Sequence, residues 1–339
     1  PCWTQLGELR DALSKFIDKD IALYAISYDD PETLAEFAEK QGVHFPLLSD
    51  IDSKVIRQFG ILNEQVTRND ALLYGIPYPG VYVTNETGTV VAKFFHDSYK
   101  KRESPEFYID AALGRLSLDE KAPQVSGGDQ DINLTIAVHG GNGTVRQGIV
   151  RHLVVRFELP EGLHIYGPPV PEGMIATQVT IQGPEGLALM SPELPATEKL
   201  TLPGVAELNV WHGTVDLTYP FYATGELASE CRPLDVPSID VKVTVRYQAC
   251  TDRECLLPKT ESFTLSLDLD VIDIPAIDLH KGHGQREGNY DGAPALKRLL
   301  GRKIKQNPLG LPIFLIKSLW LQMGALLRKR QQKKSQNKQ

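Results

Sequence analysis

Cysteine is scarce in this chain: four in 339 residues, at positions 2, 231, 250 and 255. That is too few for a fold held together by a disulfide framework. Their spacing also excludes the usual zinc site, whose four ligands come in C-x-x-C or H-x-x-x-H pairs. No metal and no cofactor is expected. Acidic residues run out toward the C-terminus. His280 to Gln339 holds 14 Lys/Arg against 2 Asp/Glu, which is +12; with −7 overall, residues 1–279 carry −19. The body is acidic and well solvated, and the basic tail suits nucleic acid or an anionic membrane surface. A long apolar run without charge is missing too. Leu309 to Leu327 comes nearest, but Lys317, Ser318 and Gln322 interrupt it. A lysine at mid-span costs about 2.5–3.5 kcal/mol on insertion scales. Three placements stay open for this run: a span, an in-plane helix on a membrane, and a helix docked on the protein. The chain opens on Pro1, not Met, and is read as a fragment or processed product with no signal peptide visible.

Residues 1–117 alternate helical and strand patterns. Leu6, Leu9, Leu13, Phe16 and Ile17 lie near helical spacing between Trp3 and Ile17. The apolar run Ile21 to Ile26 predicts a strand buried on both faces. Asp29-Asp-Pro-Glu opens a helix with an acidic cap and Pro31 at its start. Phe45 to Leu48 predicts a short strand, Asp52 to Phe59 a helix. Val81 to Val83 and Val90 to Phe95 predict strands around the hairpin turn Asn85-Glu-Thr-Gly88, and Ser104 to Leu113 a closing helix. The pattern is α/β.

Residues 118–131 are polar, with Pro123, Gly127 and Gly128, and predict a linker. From 132 to 275 the character is all-β. Strands are expected at Leu134–Val138, Leu153–Leu159, Thr177–Ile181, Val215–Tyr222, Val241–Tyr247 and Phe263–Leu269, separated by Pro/Gly turns, as in a sandwich. Residues 276–339 form the basic tail with the apolar helix 309–327.

The stretch with most chemistry is Tyr247-Gln-Ala-Cys250-Thr-Asp-Arg-Glu-Cys255-Leu-Leu-Pro258. A strand delivers Cys250 to a turn, and the turn can return Cys255 to its side, within the 4.4–6.8 Å Cα separation of a disulfide. So short a loop adds little chain-entropy stabilisation, so such a bridge fits opening and closing better than stapling. Asp252 and Glu254 would raise a thiol pKa there and Arg253 would lower it. Cys231 has no partner by spacing and reads as a lone thiol. His164 and Tyr166 read as strand residues packed near the loop.

Two resemblances cover most of the chain. Cys2-Trp-Thr-Gln-Leu6, Ile26-Ser-Tyr-Asp-Asp30, Phe45-Pro-Leu-Leu-Ser-Asp50 and Gly75-Ile-Pro-Tyr-Pro-Gly80 resemble the redoxin (AhpC/TSA-type, thioredoxin-fold) family. Leu163-His-Ile-Tyr166 and the Tyr247 to Pro258 stretch resemble the immunoglobulin-like N-terminal domain of the thiol–disulfide interchange protein DsbD. The resemblances imply an α/β thioredoxin-like domain over 1–117 and an all-β immunoglobulin-like sandwich over 132–275, followed by a basic C-terminal helix. They make Cys250 and Cys255 a redox pair. Cys2 falls where the second cysteine of a redoxin C-x-x-C lies, so the first would precede Pro1, and Cys2 would be a resolving thiol at a helix N-terminus. Pro79 falls where the thioredoxin fold has a cis-proline facing the cysteines, a place at which a partner chain can pair. Typical peroxiredoxins carry an arginine at that place, so its absence favours thiol–disulfide exchange over peroxide reduction.

The function expected is therefore a thiol–disulfide oxidoreductase. It would pass electrons between Cys250/Cys255 and the thioredoxin-fold site of Cys2 and Pro79, with peroxiredoxin-like antioxidant activity still open. The alternative is a binding or docking sandwich with a structural disulfide on an inactive redoxin scaffold. Expected partners are thioredoxin-like or DsbD-like redox proteins and a membrane surface through 309–334, with no nucleic acid. The expected location is extracytoplasmic and periplasm-like.

Overall fold

The computed structural model describes residues 2–68, 70, 73–119, 121–129, 131–201, 207–228, 236–251, 253–270 and 293–336, with side chains of the last helix as far as residue 324. These residues gather into two compact units. One holds 2–21 and 80–270, the other 22–79 and 293–336.

Residues 2–117 form helices α1 (Cys2–Asp11) and α2 (Leu13–Ile17), strand β1 (Ala25–Ser27), α3 (Pro31–Gln41), β2 (Leu47–Ser49), α4 (Lys54–Gln58), β3 (Val81–Thr84), β4 (Val90–Phe94), the two-residue β5 (Arg102–Glu103) and α5 (Pro105–Leu113). This is the helix–strand alternation of a thioredoxin-like region. β1 pairs parallel with β2, and β3 pairs antiparallel with β4. The local signals act as expected at α3. Asp30 accepts a hydrogen bond from the Thr33 N–H, Pro31 takes the first turn, and Gly42 ends the helix at φ 62. Two expectations are corrected. The helix predicted over Trp3–Ile17 is broken at Ala12. The run Ile21–Ile26 is not a strand buried on both faces, for only Ala25–Ser27 is extended and Tyr24 is 61 % exposed. Among the described residues β2 is the one strand beside it in its sheet, so β1 gains no cover from a continuous ladder.

The sandwich comprises β6 (Gln124–Gly128), β7 (Asn133–His139), β8 (Thr144–Val145), β9 (Ile149–Glu158), β10 (His164–Tyr166), β11 (Gln178–Gln182), β12 (Leu187–Leu189), β13 (Glu198–Leu200), β14 (Leu208–His212), β15 (Thr214–Ala223), β16 (Ser238–Tyr247), β17 (Ala249–Cys250) and β18 (Lys259–Leu269). One sheet runs β12-β15-β9-β7-β6, with β5 added beside β9. A second runs β11-β16-β18-β8, and a third β13-β14-β10-β17. Apolar positions alternate along β16 so that Val241, Val243 and Val245 point inward, where they join Val155, Phe157 and Leu217 in one dry core. The expected linker is corrected in part: β6, inside 118–131, pairs with β7. Gly127 permits this, because a Cβ there would run into Phe263 and Glu261 of β18.

In the other unit, α6 (Ala293–Gln306) and α7 (Gly310–Gln336) accompany α3 and α4. Arg298 donates to Asp30 at 3.2 Å and to Glu36 at 3.1 Å, and Lys317 to Asp70 at 2.9 Å. α7 contains the predicted apolar helix and runs beyond it, while the tail residues 276–292 lie outside the described residues. Among the described residues no helix is long and apolar enough to cross a membrane, so the spanning placement of 309–327 is set aside. Leu315, Ile316, Leu319 and Trp320 are nonetheless exposed, Trp320 at 71 %.

Candidate active site

β16 ends at Tyr247 and the chain steps across into β17, which carries Cys250 into the third sheet. A tight turn then reverses it. The Thr251 N–H donates to the Glu254 carbonyl at 2.8 Å, the Glu254 N–H donates to Thr251 Oγ1 at 3.1 Å, and the Leu256 N–H donates to the Ala249 carbonyl at 2.9 Å. Gln248 reinforces the return by donating to the Leu256 carbonyl at 3.1 Å. The turn joins Cys250 and Cys255 in a disulfide, Cα atoms 4.1 Å apart. Cys250 is fully buried; Cys255 is exposed. The loop side chains Arg253 and Glu254 face solvent, and Asp252 lies outside the described residues.

The sheet supplies the floor of this site. β10 lies between β14 and β17, and pairs His164 with Cys250. Tyr166, two residues on, sets its hydroxyl 3.5 Å from Cys255 Sγ. Burial pushes the Tyr166 hydroxyl pKa up, so it stays protonated and can act as a donor to sulfur. The two residues singled out from Leu163-His-Ile-Tyr166 thus stand directly at the disulfide.

Cys2 opens α1 and is exposed. Arg102, almost fully buried, holds its Nη2 3.5 Å from Cys2 Sγ. Arg102 is itself fixed, donating to Gln5 Oε1 at 2.9 Å and to the Lys101 carbonyl at 2.6 Å. Tyr108 accepts from Gln5 at 3.2 Å. A guanidinium so placed can donate a hydrogen bond to the sulfur. Sequence reasoning missed Arg102, since a lone arginine in Lys-Lys-Arg-Glu reads as surface.

A second arginine roots the same helix. Arg151 of β9 is wholly buried and donates to Glu8 Oε1 at 2.7 Å, to Ser104 Oγ at 2.9 Å and to the Thr144 carbonyl at 2.8 Å. Arg146 adds a 2.8 Å bond to Glu8. Burial opposes the ionised form of Glu8, but the two guanidiniums outweigh it and hold its pKa down. Among the described residues no cluster of His, Cys, Asp and Glu could hold a metal ion.

Pro79 belongs to the unit of 22–79, and the peptide bond before it is not cis, which corrects the expectation. Trans is the lower-energy form for X–Pro by about 0.5–1 kcal/mol and prevails unless the surroundings select cis. Among the described residues the cis bond is Pro168–Pro169. Cys231 lies outside the described residues.

The chain matches two family models: the AhpC/TSA family over residues 1–93 and the N-terminal domain of thiol:disulfide interchange protein DsbD over 143–267. It is 34% identical over 113 residues to a putative peroxiredoxin bcp of Haemophilus influenzae, covering 32% of this chain and 68% of that protein. It is 41% identical over 64 residues to peroxiredoxin Bcp of Escherichia coli, covering 19% of this chain and 41% of that one. Among solved structures, the Neisseria meningitidis DsbD N-terminal domain in the reduced form aligns with 43% of this chain and 85% of its own, at 15% identity and a TM-score of 0.23. The N-terminal periplasmic domain of ScsB from Proteus mirabilis aligns with 43% of this chain and 51% of its own, at 9% identity and a TM-score of 0.30. Through its N-terminal region this chain belongs to the AhpC/TSA family, and it carries in the same polypeptide a domain of the DsbD N-terminal type with a Cys250–Cys255 disulfide.

Proposed function

We propose that the chain is a thiol–disulfide oxidoreductase with two working parts, a redoxin region over 1–117 and a DsbD-type sandwich over 132–275. The observation that carries this reading is the asymmetry of the disulfide: Cys255 is exposed, Cys250 is buried beneath it, and Tyr166 stands beside the outer sulfur. A thiolate of a thioredoxin-like partner attacks Cys255 Sγ, the Cys250–Cys255 bond breaks, and Cys250 leaves. The partner's second thiolate then attacks the partner sulfur of the mixed disulfide, which releases Cys255. The partner is oxidised and the pair gains two electrons.

The electrons pass on to the site of Cys2 and Arg102. With a hydroperoxide as acceptor, Cys2 serves as the attacking thiol in place of the resolving role its family position implies: its thiolate takes the terminal oxygen and becomes a sulfenic acid, and the alcohol leaves. The Cys255 thiolate attacks that sulfur, water leaves, and Cys250 closes the disulfide again while releasing Cys2. With a protein disulfide as acceptor, the Cys2 thiolate attacks that disulfide instead and the partner's second sulfur leaves. The chain works outside the cytoplasm, where such a disulfide persists, with α7 on an anionic membrane surface.

The test is a chain carrying Cys250→Ser and Cys231→Ser, treated with one equivalent of hydrogen peroxide. A Cys2–Cys255 disulfide seen by peptide mass mapping is the expected result. Oxidised Cys2 with Cys255 left as a free thiol would sink the internal relay.

A further inference from the structure

The sheet β13-β14-β10-β17 places three reactive side chains on one rung. His164 of β10 is opposite His212 of β14 on one side and opposite Cys250 of β17 on the other. In antiparallel pairs, side chains directly opposite leave the sheet on the same face, with Cβ atoms about 4.5–5.5 Å apart. The row is His212, His164, Cys250. Burial is graded along it: His212 is exposed, while His164 and Cys250 are both fully buried. The two imidazoles meet edge to face with centroids 5.6 Å apart. Tyr166 stands edge-on to His164 at 5.3 Å and reaches Cys255 with its hydroxyl.

Exchange at this disulfide creates a charge problem that the row answers. Attack on exposed Cys255 expels Cys250 as a thiolate in a fully buried position, where an unpaired charge is costly. On reoxidation the same buried thiol must lose its proton before it can attack. A dry apolar wall offers neither a donor nor an acceptor for that proton. An imidazole does both near neutral pH.

We propose that His164 carries the proton of Cys250, with His212 as its outlet to solvent. The proposal rests on reversible opening of the Cys250–Cys255 disulfide. On reduction, the N–H of the His164 ring gives its proton to the leaving Cys250 Sγ, an S–H bond forms, and the ring takes a proton back from solvent by way of His212. On oxidation, neutral His164 takes the proton as Cys250 attacks Cys255 Sγ, and the partner's thiolate leaves. Protons balance and no further reductant enters. The titratable groups facing His164 are His212 from β14, Tyr166 from β10, Cys250 from β17 and, beyond Tyr166, Cys255.

The step can be isolated in the full chain with Cys2→Ser and Cys231→Ser, first reduced, then mixed with 5,5′-dithiobis(2-nitrobenzoate). The first coloured thiolate marks capture at Cys255. The second marks attack by Cys250 on the mixed disulfide. With His164→Gln the second phase should slow by at least about ten-fold near pH 6.5 and recover by about pH 9, where hydroxide removes the proton directly, while the first phase is unchanged. His212→Gln, exposed and so harmless to folding, should give a smaller slowing with the same pH shape. A slowing by one factor at every pH marks a packing role for His164 and overturns the proposal. If His164→Gln does not fold, an unchanged second phase in His212→Gln overturns it. A parent pair that releases no second thiolate, or cannot be reduced, instead refutes reversible exchange itself.

Discussion

Cys250 has no exposed surface, while Cys255, five residues on and bonded to it, faces solvent. Only one of the two sulfurs can meet a partner. Cys250→Ser should therefore accumulate a covalent complex with a thioredoxin-like protein, and Cys255→Ser should not. In the chain-entropy model a loop this short contributes about 2 kcal/mol, so both variants should keep a cooperative thermal transition close to wild type. Equal trapping by the two, read on non-reducing gels, would contradict the asymmetry.

Arg151 and Glu8 form a wholly buried pair, whereas Arg156 and Asp216 form a bidentate pair whose side chains are each 25% exposed. Burial should decide which matters. Removing one partner of a buried pair costs about 3–5 kcal/mol; breaking an exposed one costs about 0.2–1 kcal/mol. Arg151→Met should lower the urea midpoint far more than Arg156→Met, and similar losses would show that the buried network is not what holds α1.

Acid should weaken the fold in two overlapping windows. Burial, and then His139, lower the His152 pKa from 6.5 to about 3. The unfolded chain takes up this proton first, so the stability is complete above about pH 6.5 and is lost as pH falls toward 3. Burial alone would raise the Glu106 pKa, but Arg151 and Lys15 outweigh it and hold it at about 2, against 4.5 unfolded. That contribution is complete above about pH 4.5 and is lost on the way to 2. In urea titrations His152→Gln should flatten the dependence between about pH 6.5 and 4.5 and leave the lower window in place. An unaltered upper slope would assign it to another group.

α7 exposes Leu315, Ile316, Leu319 and Trp320, and the sequence continues into Arg328-Lys-Arg330 and Lys333-Lys334. Apolar area plus basic charge binds anionic bilayers. The chain should co-sediment with vesicles containing phosphatidylserine, less so at high salt, and a chain ending at residue 308 should stay in the supernatant. Equal partition of the two chains would remove the membrane assignment.

Much of the sandwich was legible because its long strands alternate. β16 buries every second residue from Ile239 to Tyr247, and the period-2 signal is plain. β10 could not be read this way. Its three residues, His164, Ile165 and Tyr166, are all buried, and so short a run has no period. The floor of the candidate site was thus visible only as a family-like tripeptide. Arg102 and Arg151 show a different limit. Both sit in strands, both are buried, and the groups that make this affordable, Gln5 and Glu8, come from α1 far back in the chain. For Arg151 one local sign existed: its neighbours Ile149, Val150, Leu153 and Val154 leave no solvent face on β9. The run at Ile21 misled in the other direction, since apolar content says nothing of whether a sheet exists to cover it.

The Glu8 anchor also sets a length. Between it and Cys2 lie six steps of helix, about 9 Å at 1.5 Å per residue. Paid out as extended chain, those steps reach about 20 Å. Unwinding the first turn and a half of α1 would therefore carry the Cys2 sulfur some 11 Å further while leaving the Glu8 bonds to Arg151 and Arg146 in place, at the cost of the Arg102 bond to Gln5. The ion pair acts as the fixed end of a leash, and the distance at which Cys2 can meet another sulfur is measured from Glu8, not from the start of the helix.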